Sequence, residues 1–407
     1  MSSRGAQLGI IFLTILIDMI GFGIVIPVLP IYAETFNATA LQNGLLVAAF
    51  SFAQFLASPL WGRVSDRVGR KPVLFISILG TAVGFVMMGL AGSLMMLFIA
   101  RIIDGAAGGN IGTAQAYVAD ISTKEERSKA MGIIGAAFGI GFMFGPAIGG
   151  TMSHFFGVRS PFLLAAAMAL VNAILILLFL PESLPKERRG KQTGGSIFDV
   201  IRHSDSRVYR NVTLTYFCLI TGFSMMTTIY ALFLFHRFDM DPLHTGGMLA
   251  MVGFIGALIQ GGLIGRLVKR FGEARLATAG AVILAISLFA LPLAGGLATL
   301  LLYSAGVAVG NSLLMPTLSG IASRSVDENW QGRALGLMQS AGALARWVGP
   351  AVAGLLLSMD VGKGKEIYAR TPLWAGAALV ALSIVFTLLL PREMAAHDMT
   401  ADDPSAA

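Results

Sequence analysis

Charge and cysteine are scarce in this chain. Asp, Glu, Lys and Arg make up 13% of its 407 residues, about half the share in ordinary soluble domains. The single cysteine, Cys218, excludes an intrachain disulfide and a thiolate metal site. The five histidines (His154, His203, His236, His244 and His397) fall in loops, at helix ends or in the tail. No two of them are spaced i, i+4, so no metal or other cofactor is expected. There is no GxxxxGK[ST] phosphate loop, which argues against direct drive by ATP. There is also no nucleophile–base pair and no sizeable soluble segment, so the sequence does not read as an enzyme.

Apolar residues are abundant, at 56%. Uncharged stretches of roughly twenty residues recur along the whole length, and at 1.5 Å per residue each is long enough to cross a bilayer. The pattern predicts an all-α membrane protein of twelve spans. They are read at 8–32, 43–61, 72–92, 94–118, 129–153, 161–180, 211–236, 246–267, 275–293, 297–321, 333–357 and 371–390. The first run is too long for a signal-peptide core and lacks a small-x-small cleavage site, so it reads as a retained helix. Forty-nine glycines suit close helix packing in lipid.

The excess of 29 basic over 22 acidic residues is explained by topology and does not call for nucleic acid. With alternate loops on opposite sides, 22 Lys and Arg fall on one face and 5 on the other, with Arg101 and Arg346 inside spans. The positive-inside rule then places both termini in the cytoplasm.

Two stretches repeat at one offset. "GRVSDRVGRK" (62–71) is answered by "GRLVKRFGEA" (265–274), and "KAMGIIGAAFGIGFMFGPAIGG" (129–150) by "RALGLMQSAGALARWVGPAVAG" (333–354). A duplicated six-helix unit follows. The expected division is a bundle at 1–183, a linker at 184–210, a second bundle at 211–391 and a tail at 392–407. Parallel six-helix repeats point to a secondary transporter with its site at the midplane.

"GRVSDRVGRKPVL", between the second and third spans, resembles the loop signature of the major facilitator superfamily at Gly62, Asp66, Arg67, Gly69, Arg70 and Lys71. "IDMIGFGIVIPVLPIYA" and "RIIDGAAGGNIGTAQAYVAD" resemble the first and fourth helices of its drug:proton antiporter group, which includes tetracycline exporters. "GIGFMFGPAIGG" resembles the glycine–proline motif of the antiporter branches, at Gly141, Gly145, Pro146 and Gly149. The resemblance covers essentially the whole chain. It implies the major facilitator fold, with two pseudo-two-fold-related six-helix bundles, in a bacterial inner membrane. It also implies a cytoplasmic gate in which Asp66 faces the start of the eleventh helix near Arg333 and Arg70 pairs with Asp120. In the second half Lys269 stands for Asp66 and Glu273 for Arg70, which predicts a lopsided gate. Tetracycline exporters carry further acids in their third and ninth helices. The matching stretches here, "ILGTAVGFVMMG" and "AGAVILAISLFALP", contain none.

Away from the span ends, only four residues are reliably charged: Asp18, Arg101, Asp104 and Arg346. Each lies ~15 Å deep, and four unpaired charges would cost about 10 kcal/mol on insertion scales. Two acids and two arginines suggest mutual compensation. A fixed salt-bridge network and a protonatable cluster facing water both fit. Arg101 and Asp104 share one helical face, and the resemblance implies proton coupling at Asp18, Arg101 and Asp104. Asp18 has three possible partners: a proton, an arginine or a cationic part of the substrate. Arg346 has no counterpart in the first half; it either holds an anionic substrate or neutralises Asp18 or Asp104. Gln54, Asn110, Gln115, Tyr230, Asn311 and Gln339 are polar candidates for the substrate cavity, with helix–helix hydrogen bonds the other reading for each. The expected function is a monomeric, proton-coupled antiporter exporting a small amphipathic compound. The alternative is a symporter or facilitator for a metabolite such as an organic anion.

Overall fold

The computed structural model describes residues 4–122, 127–190, 206–326 and 330–401. These residues are helical or loop. Twelve helices are long and apolar enough to span a membrane: α1 (Gly5–Glu34), α2 (Ala40–Val68), α3 (Arg70–Gly89), α4 (Leu94–Ile121), α5 (Ile134–Phe156), α6 (Ser160–Phe179), α7 (Arg207–Phe238), α8 (Pro242–Phe271), α9 (Glu273–Leu293), α10 (Leu297–Arg324), α11 (Ala334–Leu357) and α12 (Arg370–Leu390). Their number and order are those expected from the apolar runs.

Their ends differ where helical hydrogen bonding outlasts the apolar run. α2 continues through Gly62–Val68, so the gate signature lies on its last two turns, and Gly69 alone separates it from α3. Local caps set other ends. Thr39 and Gln42 form a reciprocal capping box at the start of α2 (3.3 and 2.8 Å). The buried Asp360 accepts from the Thr371 amide (2.7 Å) and hydroxyl (2.6 Å), tying the loop after α11 to the first turn of α12.

The chain forms two compact units. One comprises Met1–Thr193 with Thr227–Phe254, the other Gly194–Met226 with Ile255–Ala407. In the first unit α5 presents two faces, and its glycine–proline motif serves both. Gly141, Gly145 and Gly149 lie against α1: a Cβ on Gly145 would sit 2.7 Å from Gly23 Cα, and one on Gly149 2.4 Å from Ile24 O. Pro146 and Gly150 meet the start of α8, where a Cβ on Gly246 would fall 2.4 Å from Pro146 O. Backbones this close exclude larger residues, and that contact brings residues 242–254 into the first unit. Large apolar side chains, among them Leu56, Leu60, Ile76, Val83 and Leu178, are exposed, as a lipid-facing surface requires.

The core of the first unit falls into two apolar clusters. One gathers Ile11, Ile15, Leu74, Ile78, Tyr117, Val118 and Ile176. The other gathers Ile24, Val28, Leu29, Tyr32, Phe85, Met88, Leu97 and Phe162. Along α1 and α4 the polar residues Asp18, Arg101, Asp104 and Asn110 fall between them.

Candidate functional site

The site in the first unit depends on a break in α4. The helix is regular over Leu94–Ala107, tightens to a 3-10 turn at Gly108–Asn110, and resumes at Ile111. Two side chains from α2 take carbonyls at the break: Gln54 Nε2 donates to Gly108 O at 2.9 Å, and Trp61 Nε1 to Ala106 O at 2.6 Å. Gly105 makes that approach possible, because a Cβ there would lie 2.2 Å from Phe50 O. Asn110 leaves the break buried, and its Nδ2 donates to Asp18 Oδ2 on α1 at 3.2 Å. Asn172 of α6 lies beside the same carboxyl. Asp18 Oδ1 is sealed from solvent with no hydrogen-bond partner.

Arg101 does not compensate Asp18. Its Nη1 binds Asp104 Oδ2 at 3.1 Å, with both side chains 3–5% exposed, and its guanidinium lies over the Phe50 ring, 4.3 Å from the centroid. The compensation inferred from four charges summing to zero is therefore local: it joins neighbours one helical turn apart. Among the described residues of its unit, Asp18 has no ion-pair partner within 4 Å.

At the end of α2 and the start of α3, the predicted pairing of Arg70 is present and larger than expected. Arg70 is 3% exposed; it donates to Ser65 Oγ (2.6 Å), Asp66 Oδ1 (2.7 Å) and Asp120 Oδ2 (3.2 Å). Gly62 O accepts from Ser65 Oγ at 2.9 Å, while Arg67 is exposed. Gly69 has φ +120°, and a Cβ there would strike the Glu182 carboxylate and Arg189, so glycine is required. Glu182 itself accepts from the backbone amides of Arg70 (2.8 Å) and Lys71 (3.3 Å), where the α3 dipole favours an anion. Gly190 N donates to Asp66 O, and Ser183 Oγ to Asp120 Oδ2, both at 3.0 Å. The chain after α6 is thus built into the junction between α2 and α3. The side chain of Arg333 lies outside the described residues.

The second unit repeats one element of this arrangement with its charges exchanged. Glu273, at the start of α9, forms an ion pair with Arg324, at the end of α10; these are the counterparts of Arg70 and Asp120. The predicted lopsidedness is therefore a reversal of sign at this pair. Deeper in the unit, the Arg346 guanidinium lies beside the Tyr216 hydroxyl, which donates to Gln339 Oε1 at 3.3 Å. Asn311 keeps a buried Oδ1 without a partner. Of the other cavity candidates, Gln115 is exposed, and Tyr230 is a fully buried core residue of the first unit packed against Phe233.

A further cluster closes the opposite end of the first unit. Glu34 meets His236 Nε2 at 2.9 Å, and Asp241 meets the Nδ1 atoms of His154 and His244, each at 2.7 Å. Partial burial pushes the Asp241 carboxyl up, but bonds from the His244 amide and ring and the His154 ring outweigh it and hold the carboxyl below its ordinary value. No group of three or more His, Cys, Asp or Glu with metal-binding geometry occurs among the described residues.

Sequence reasoning missed Glu182, Ser65, Trp61, Tyr216 and Arg324. Arg324 had a signal, because it stands 204 positions after Asp120, the offset of the repeat. Glu182 had none, since "PES" after a span reads as the start of a linker.

Comparison with known proteins accords with this architecture. The family model of the Major Facilitator Superfamily matches residues 11–350 and 212–404. Multidrug resistance protein 2 of Bacillus subtilis (strain 168) is 32% identical over 357 residues, covering 86% of this chain and 89% of that protein. Tetracycline resistance protein, class C, of Escherichia coli is 31% identical over 406 residues, covering 96% and 97%. The crystal structure of the human organic anion transporter MFSD10 (TETRAN) has a TM-score of 0.71 at 25% identity, covering 95% of this chain and 100% of that one.

Proposed function

The chain belongs to the major facilitator superfamily, and on that premise we propose that it is a proton-coupled antiporter exporting a small amphipathic organic compound by alternating access. Its relatives named for multidrug and tetracycline resistance support export. The observation that carries the coupling is the Asp18 carboxyl: deep in α1, bonded to the neutral Asn110, with its second oxygen without a hydrogen-bond partner and no cation beside it among the described residues of its unit. A proton binds at Oδ1 while the site is dry and leaves when water reaches it. Arg101 and Asp104, already paired, hold α4 and its break in register so that Asn110 stays on Asp18.

The rocking bodies are the bundles 1–183 and 211–391, joined by the linker 184–210. Asp66, Arg70 and Asp120, with Arg333, form the gate on the cytoplasmic side. Both termini are cytoplasmic, as the 22-to-5 distribution of basic residues favours. The protein works as a monomer in the bacterial inner membrane; its ligands are substrate, protons and lipid, and nucleic acid has no part in the cycle. A second reading, co-transport of an organic anion, is favoured by the human relative.

Purified protein in acid-loaded vesicles separates the two. Substrate entering by exchange raises the internal pH, whereas substrate entering with a proton lowers it. A fall in internal pH on substrate addition rejects antiport.

A further inference from the structure

Arg346 is the one charge at membrane depth in the second unit. It lies near the middle of α11 (Ala334–Leu357), with no Asp or Glu in α10, α11, α12 or the parts of α7 and α8 that belong to this unit, and with the one acid of α9, Glu273, at its first residue. Among the described carboxylates of the unit, Glu273 is paired with Arg324, Asp360 accepts from Thr371, and Glu366 is exposed in the loop between α11 and α12. The contrast with Arg101 is direct. That arginine is neutralised by Asp104 and sealed, whereas Arg346 is only half-buried and its neighbour is a neutral hydroxyl.

The surroundings of Arg346 are also built. Gln339, Gly342 and Arg346 follow one stripe of α11 at spacings of three and four. The Tyr216 ring lies over the middle of that stripe, where a Cβ on Gly342 would be 2.6 Å from Tyr216 Cε1. From there Tyr216 Oη donates to Gln339 Oε1. That bond uses the hydroxyl proton and turns the oxygen lone pairs toward Arg346, which fixes the guanidinium without cancelling its charge. The guanidinium so fixed carries five N–H donors in a plane, a geometry that matches a planar acceptor.

We propose that Arg346, held by Tyr216 and Gln339, is a carboxylate-binding subsite, and that the exported compound is an amphipathic molecule bearing a carboxylate. This rests on the export reading above and deepens it. The apolar part of the compound supplies affinity, and the carboxylate supplies the counter-charge that the unit lacks at this depth. Arginine suits the task because its fork matches a carboxylate bidentately and its charge does not change with pH.

The test compares two matched probes, 2-naphthoate and 2-naphthamide, which differ in charge and hardly in shape. Binding to the purified full chain is measured by titration calorimetry at neutral pH. The wild type should prefer the carboxylate by roughly tenfold or more. Arg346→Gln should abolish the preference while its affinity for the amide changes less than twofold. Arg346→Lys should keep part of it. Tyr216→Phe removes one hydroxyl without touching the charge and should narrow the preference severalfold, which covers the case in which Arg346→Gln fails to fold. No preference in the wild type, or a preference that survives Arg346→Gln, overturns the subsite. If the wild type shows no preference and still exchanges protons for a neutral compound in vesicles, the subsite falls and the export reading stands.

Discussion

Gly105→Ala and Gly112→Ala are the same change on one helix, seven residues apart, and they should move stability in opposite directions. A Cβ on Gly105 would stand 2.2 Å from Phe50 O and 2.8 Å from Phe50 Cα, both backbone atoms of α2. Ordinary contact requires about 3.5 Å, so the two helices must part by about 1 Å. Overpacking of that kind costs about 1–3 kcal/mol. The same movement stretches the Gln54–Gly108 and Trp61–Ala106 hydrogen bonds, each worth about 0.5–1.5 kcal/mol net, and pulls Phe50 from beneath Arg101. Against this stands the helix preference of alanine over glycine, about 1 kcal/mol. Gly105→Ala should therefore lose about 2–3 kcal/mol. At Gly112 nothing lies within 4 Å of the added Cβ, so only the preference acts, and stability should rise by up to about 1 kcal/mol. Thermal unfolding of both variants in one detergent measures the difference. Because Asn110 follows the break, Gly105→Ala should also impair proton coupling. Equal melting temperatures for the two variants would refute the close α2–α4 approach.

Three further outcomes follow from the geometry. Glu182→Gln removes the anion at the start of α3 and sets an amide donor among N–H groups, so hydrogen exchange at Arg70 and Lys71 should quicken; unchanged exchange would show that the segment after α6 does not hold the gate loop. Glu273→Lys should lower thermal stability by about 0.5–1 kcal/mol, and adding Arg324→Glu should restore it; a double variant no better than the single one rejects the reversed pair. Because the folded Asp241 carboxyl lies below its ordinary value of 3.8, its bonds contribute stability above that value and lose it as pH falls through the lower folded one. The advantage of wild type over Asp241→Asn should therefore hold from neutral pH to about 4 and vanish below; an advantage already gone at pH 6 contradicts the assignment.

The twelve helices were legible because an apolar run of bilayer length has no other use. Their ends were not, since Gly62–Val68 is polar yet stays helical until Gly69 stops it. Gly69 and the Arg70–Asp120 pair were readable from the loop signature, and the Arg101–Asp104 pair from its spacing of three. The break in α4 was hidden, because Gly108 and Gly109 alone do not specify it: it depends on Gln54 and Trp61 reaching across from α2. Charge counting did not say which groups meet: within the first unit Arg101 takes Asp104, and Asp18 is held by the neutral Asn110. The polar setting of Arg346 was half visible. Gln339 and Arg346 lie two turns apart on one face, but Tyr216, which joins them, comes from a helix more than a hundred residues earlier.

Proton coupling at Asp18 is tested most directly by Asp18→Asn in vesicles with an imposed pH gradient. Asparagine matches the shape of the protonated acid and cannot release a proton, so the variant should fold, bind substrate and exchange it between compartments, while gradient-driven accumulation disappears. Full gradient-driven accumulation by well-folded Asp18→Asn would contradict the coupling role.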